Sequence, residues 1–390
     1  METTLAPPEA APLAALAGNL DSEPEYSAAI ASLLAGHGAT LGGVWGSSCA
    51  LVIANLLRHA PGRLVVVTPN SEDLDSLAAD LALFSDIPAA IYPAWEMSGS
   101  ELTLADDVHG ERLRLLKQLR DDSAPRVLLA GIPALLQPAP SPGLLAERTR
   151  TVRVGERLDL NEFTTWLVEN GFVASTAVQL PGEFSLRGGI LDLYAADWEH
   201  PLRVELFDEE VESIRAFEIV TQRSQGALKV LDITLIHPAR SDRAQLADYL
   251  TNGTWVLLLE PAEIQEEARY YLQRVERMQD YHEIDEVTRS LFRFPSITAS
   301  AIAGGSFEAT CNLRLESVER FSGDFEKVRN ELDAAGEGQT VYLICPTAAE
   351  VERYQELFGE TALAKRQALH LLVGHLRSGF RLVSERIALV

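Results

Sequence analysis

At 390 residues the chain has room for about two to four domains. Hydrophobic residues make up 47% and charged residues 23%, a globular balance that excludes a wholly disordered chain. The formal net charge of −24 repels phosphate at long range, so nucleic acid is left at most a local basic patch and a protein partner is the default. Cys49, Cys311 and Cys345 lie far apart with no C-x-x-C pair, which indicates neither a disulfide framework nor a thiolate zinc site and fits a reducing cytoplasm. Acids and prolines in the first 26 residues are wrong for a signal peptide, and no run approaches the ~18 apolar residues of a membrane span. A cytoplasmic chain is expected, with no membrane partner and a flexible Ala/Pro tail over residues 1–27.

From 28 to 149 short apolar runs alternate with helical periodicity, the pattern of parallel strands covered by helices, so the fold class is α/β. Arg63 to Asn70 reads as a buried strand, and Ser71 as the cap of the helix after it. The proline-rich stretch Gln137 to Gly143 marks a boundary. Residues 150–238 read as an inserted small α+β domain. It has one helix, with Asp159 and Glu162 as a capping box and Gly171 as its stop, then three strands around GGILDLYA, PLRVELFDE and VESIRAFE. Residues 239–315 return to α/β through Trp255 to Glu260 and are expected to complete the first sheet. Residues 316–390 form a third small α/β domain, with Thr340 to Pro346 as a buried strand. The end at Val390 inside the apolar run RIALV suggests a longer parent protein.

The turn Gly43 to Ala50 occupies the place of a phosphate loop. On the template G-x-x-x-x-G-K-[ST], Gly43 matches and Gly46 lies between, but Ser48 replaces the second glycine, Cys49 the lysine and Ala50 the hydroxyl residue. Without the lysine that neutralises phosphate charge and the hydroxyl that holds Mg²⁺, ATP chemistry is not expected. Glu260 ends an apolar strand like a Walker-B acid, yet reads better as an acid at a helix start. The eight histidines show no metal-binding spacing, and Ser47 and Ser48 have no assignable catalytic partners, so no catalytic residue, metal or cofactor is expected.

Arg148, Arg150, Arg153 and Arg157 form the one basic cluster, readable as a nucleic-acid patch or, preferably, as an edge strand blunted against aggregation. In PLRVELFDE, alternation puts Leu202, Val204 and Leu206 on one face and Arg203, Glu205 and Phe207 on the other. If the first face is core, Phe207 stands on the polar side beside an arginine, the composition of an interface hot spot, unless a neighbouring element covers it.

Leu180 to Ser224, with its R-G-G-I-L-D-L, L-R-V-E-L-F-D and T-Q-R-S segments, resembles the N-terminal region of the bacterial transcription-repair coupling factors and, in part, the excision-repair protein UvrB. Pro93 to Glu96, Glu111 to Leu113, Phe321 to Phe325 and Val373 to Phe380 extend the likeness, while Met97 to Thr103 departs from it. UvrB keeps an intact phosphate loop; the loss here points to the coupling factor. The resemblance implies a degenerate P-loop, UvrB-like parallel-sheet domain at 28–149 completed by 239–315, with the insert as a UvrA-binding domain. It implies a non-catalytic module that recruits UvrA to lesions where RNA polymerase has stalled, with ATP-driven translocation on double-stranded DNA left to C-terminal domains absent here. It carries UvrA contact onto Arg187, Arg203 and Phe207, masked in the intact protein by an intramolecular C-terminal domain. Arg203→Ala or Phe207→Ala is expected to leave the thermal transition within a few degrees and to cost ~1 to 3 kcal/mol in UvrA affinity.

Overall fold

The computed structural model describes residues 11–95, 107–236, 242–302, 307, 309–318 and 325–390. Glu96, Met97 to Thr103, His237, Pro238 and Phe321 to Asp324 lie outside the described residues. The largest element is a seven-stranded, all-parallel sheet in the order Ala309–Asn312, Ala39–Gly42, Ser296–Ser300, Trp255–Leu259, Leu64–Thr68, Val127–Gly131, Ala89–Tyr92. Its central strands are apolar throughout because both faces are covered. Leu64 and Val66 enter one core with Leu51, Leu56 and Trp255, while Val65 and Val67 enter the other with Leu116, Leu135 and Ala268. Strands from before and after the 150–236 segment therefore share one sheet.

That segment carries its own core. A six-stranded sheet runs Ser224–Leu228, Glu210–Phe217, Leu202–Phe207, Ile190–Tyr194, Glu183–Arg187, Val173–Ala174, antiparallel except for the last pair. Its inner face, with Phe184, Leu191, Leu193, Val204 and Ile214, packs on Phe163 and Leu167 of the helix Leu160–Glu169. A two-stranded ribbon, Thr149–Arg153 with Val230–Thr234, adds Val152, Leu231 and Ile233 to the same core. Periodicity identifies three of these strands; the others are short or polar, and SQGAL is exposed along its whole length.

The last unit is a mixed five-stranded sheet ordered Leu315–Ser317, Phe380–Leu382, Ile387–Leu389, Thr340–Cys345, Leu369–Val373. Phe380, Leu382 and Leu389 join one core of the seven-stranded sheet. Thr340–Cys345 is not the fully buried strand its apolar run predicts, since only Val341 and Cys345 are buried.

Three local expectations also fail. Residues 11–27 are not a loose tail: the helix Ala14–Asn19, the 3-10 turn Leu20–Ser22 and the helix Pro24–Leu34 bury Leu16, Ala17, Leu20 and Tyr26. Alanine is a strong helix former, and Asn55 Nδ2 fixes the segment by donating to Ala17 O (2.7 Å) and Asp21 (2.9 Å). The helix after Thr68 begins only at Leu74, and Ser71 Oγ is buried without a partner instead of capping it. At the insert's helix Asp159 caps Asn161 and Glu162, but Glu162 pairs with Arg150 and leaves the capping box half made.

Candidate functional site

The outer face of the six-stranded sheet is built by register. Asp192 stands opposite Arg203, Ile190 opposite Glu205 and Arg187 opposite Ile190, so these side chains share the face away from the core. Gly189 is required there: a Cβ on it would lie 2.6 Å from Leu206 O, and its own carbonyl accepts from Leu206 N at 2.7 Å. The tight Arg187 to Ile190 turn thereby lies against the end of the strand that carries Phe207.

Phe207 is 77% exposed, and Ile190, on the same face of the neighbouring strand, is exposed as well. Among the described residues no neighbouring element covers it, so the alternation read from the sequence has the strand the right way round. Arg187 is open as well: 61% of its side chain is exposed, and Nη2 lies 3.8 Å from Asp192 Oδ2. Arg203 differs. Its fork is occupied within the fold, Nε on Asp192 Oδ1 at 2.7 Å and Nη2 on Oδ2 at 2.9 Å, with Nη2 also donating to Gln222 at 3.2 Å. The guanidinium carbon sits 4.8 Å from the centre of the Phe217 ring, and the hydrogen bond to Asp192 raises the arginine's pKa. Asp192 is buried and Arg203 covers it, so Arg203→Ala leaves a buried carboxylate with only the distant Arg187. Arg203→Ala is therefore expected to cost stability as well as binding, whereas Phe207→Ala, with its ring outside the core, is still expected to leave the thermal transition in place. Asp192 is the residue sequence reasoning missed, although the aspartate of R-G-G-I-L-D was in view. Its pairing with a residue eleven positions away depends on strand register.

Three arginines of the basic cluster have acidic partners within the domain. Arg150 pairs with Glu162 (3.0 Å) and lies over Trp166, Arg153 pairs with Glu156 (3.4 Å) and Arg157 with Glu209 (2.6 Å). Arg148 reaches Asn170. The strand pairs on one side alone, with Val230–Thr234, as the edge reading expects.

The turn Gly43 to Ala50 does join a strand, Ala39–Gly42, to the N-terminus of a helix, Ser48–His59. Gly43 and Gly46 have positive φ, as the turn needs. Ser48 Oγ turns back to Trp45, 2.6 Å from its carbonyl, and Ala50 is fully buried. Ser47 Oγ accepts from the backbone N–H of Ser378 at 2.8 Å. The segment around Ser378 is anchored beside it by Asp80, which accepts from His375 Nδ1 at 2.9 Å and from Arg377 N at 3.0 Å, and by an Arg377–Asp73 ion pair. Burial, with Glu260 adding repulsion, pushes the Cys49 thiol up to about 12. Glu260, left-handed at the helix start, accepts from Ala301 N at 2.8 Å. Among the described residues no group of three or more His, Cys, Asp or Glu is placed to hold a metal, and no helix is long and apolar enough to cross a membrane.

Comparison with known proteins falls on the same region. Residues 151–241 match the UvrB interaction domain. The transcription-repair-coupling factor of Bacillus subtilis (strain 168) is 31% identical over 211 residues, which cover 52% of this chain and 18% of that protein. The factor of Staphylococcus aureus (strain MRSA252) is 34% identical over 192 residues, 48% of this chain and 16% of its own length. The chain thus spans less than a fifth of these relatives. It is an α/β protein similar to the N-terminal region of the transcription-repair-coupling factors, with a UvrB interaction domain at residues 151–241.

Proposed function

We propose that this chain is a non-catalytic recruiting module of transcription-coupled nucleotide excision repair, and that its inserted domain docks UvrA. The observation that carries the reading is an uncovered aromatic, Phe207, beside an accessible cation, Arg187, within the residues that match the UvrB interaction domain. A large exposed apolar side chain next to arginine is the composition of a binding hot spot. RNA polymerase and double-stranded DNA are then partners of the whole protein, in which a C-terminal domain masks this surface.

Titration calorimetry of the chain into purified UvrA tests the reading. Binding is expected, and Phe207→Ala is expected to weaken it by about 2 kcal/mol while the thermal transition stays unchanged, because the ring contributes nothing to the core. A folded chain that does not bind UvrA overturns the proposal.

The turn at Gly43 to Ala50 we read as a degenerate P-loop without nucleotide chemistry. Cys49 and Ala50 lack the groups that handle phosphate and Mg²⁺, and the Ser378 amide already engages Ser47. Titration with ATP and Mg²⁺ is expected to show no saturable binding. Saturable binding that is lost when Ser47 or Ser48 is replaced would reverse this reading.

A further inference from the structure

We infer that Asp192 is the positioning residue of the outer face: it locks Arg203 as a structural strut and holds Arg187 ready for a carboxylate on the partner. The inference rests on the recruiting surface proposed above and assigns the work within it. The resemblance carries contact onto Arg187, Arg203 and Phe207 alike, but their geometry separates them. Arg203 spends both arms of its fork on Asp192, is backed by Phe217, and has 21% of its side chain exposed. A partner carboxylate reaching Arg203 would have to displace a bidentate, charge-assisted pair already formed in a buried setting, where such pairs hold most strongly.

Arg187 has no such commitment. It stands 3.8 Å from Asp192 Oδ2, too far for a hydrogen bond, yet close enough to be drawn toward that charge and held near one orientation. Its side chain is 61% exposed on the face opposite Ile190, the same outer face that carries Phe207 on the next strand. The recognition element is therefore a pair, Arg187 for charge and Phe207 for apolar area, and the complementary element is a carboxylate flanked by an apolar recess. Arg203 acts through Asp192, by sharing its negative charge so that Arg187 is oriented without being captured.

Asp192→Asn separates this reading from simple charge attraction. The substitution removes a negative charge beneath two arginines, so an acidic partner that sensed only local charge would bind more tightly. Positioning predicts the opposite, a loss of about fivefold or more in UvrA affinity. A cycle with Arg187→Ala and Arg203→Ala supplies a second measure. Arg203→Ala should weaken binding in the parent chain but change it less than about twofold once Arg187 is gone. Modification by phenylglyoxal, read by mass spectrometry without UvrA, tests the clamp itself: Arg187 should react quickly and Arg203 slowly, with Arg203 speeding up in Asp192→Asn.

Equal reaction of the two arginines in the parent chain, additive losses in the cycle, or unchanged or tighter UvrA binding by a folded Asp192→Asn variant would each overturn the inference. Those outcomes leave UvrA docking standing. Absence of binding by the parent chain would instead overturn the recruiting reading, while the phenylglyoxal pattern still decides whether the clamp exists.

Discussion

Arg112→Ala is expected to destabilise the seven-stranded domain by about 3 kcal/mol or more. Its guanidinium is buried with no carboxylate facing it among the described residues. It is held between the rings of Tyr92 and Trp95, 4.1 and 4.3 Å from their centres, and Nη1 donates to Pro93 O at 2.7 Å. Longer bonds reach Ala134 O, Gln137 Oε1 and Pro138 O. These acceptors lie past the ends of the strands Ala89–Tyr92 and Val127–Gly131, so one side chain ties the exits of both strands together. Removing it strands several buried acceptors, at about 1–3 kcal/mol each where water does not replace the donor, and opens a gap between two rings.

Arg112→Met keeps the apolar stem but no donors, and should recover only the packing part of the loss. Arg112→Lys should also fall short, since a point charge cannot reach four dispersed acceptors or lie flat between two rings. Thermal denaturation of the three variants checks this. A loss below ~1 kcal/mol for Arg112→Ala would show that the carbonyls are satisfied without it.

That anchor shows what the sequence could and could not reveal. The likeness to known proteins singles out Glu111 to Leu113, and the structure puts Arg112 in the helix Asp107–Arg120, but nothing in a one-dimensional pattern says that an arginine points inward without a counter-ion. The parallel strands were legible because sheets covered on both faces need continuous apolar runs. The facing of Phe207 was legible because strand alternation leaves only two choices and Leu202 and Val204 fill the core side, whereas its exposure was not, since a neighbouring element could have covered it. The Arg203–Asp192 pair was not, since it depends on the register between Ile190–Tyr194 and Leu202–Phe207, which the connection from Ala195 to Pro201 sets. The helix Ala14–Asn19 and the start of Pro24–Leu34 read as a tail over 1–27 because small apolar residues and prolines look the same in a linker until a surface exists for them to dock on. Glu183–Arg187 and Ser224–Leu228 escaped notice for a related reason: their neighbours, not their own composition, make them strands.

Gly110→Ala should destabilise the chain by about 3 kcal/mol, although the same change in an exposed helix interior gains about 1 kcal/mol. The sign reverses because the inserted domain sits on that spot: a Cβ at Gly110 would lie 2.0 Å from Ala196 O. To admit it, the turn at Ala195 to Trp198 must retreat from the helix Asp107–Arg120 and give up the contacts that seat it. Arg114 Nε donates to Asp197 O at 3.0 Å, and Lys117 Nζ lies 2.5 Å from Asp197 Oδ2. Asp197 is buried, so separating it from Lys117 leaves an uncompensated carboxylate and adds to the steric cost.

The direction of the strands gives this a functional reading. Ile190–Tyr194 runs from the Arg187 and Phe207 end toward the Ala195 turn, five residues or about 17 Å away, so the recruiting surface points away from the helix that seats the domain. Gly110→Ala is therefore expected to lower the unfolding temperature and speed hydrogen exchange at Ala195 to Trp198, with UvrA affinity held within about twofold of the parent chain. Loss of affinity in a variant whose inserted domain remains folded would mean that the seat and the outer face are coupled, and that the sheet between them transmits the displacement of its far turn to Arg187.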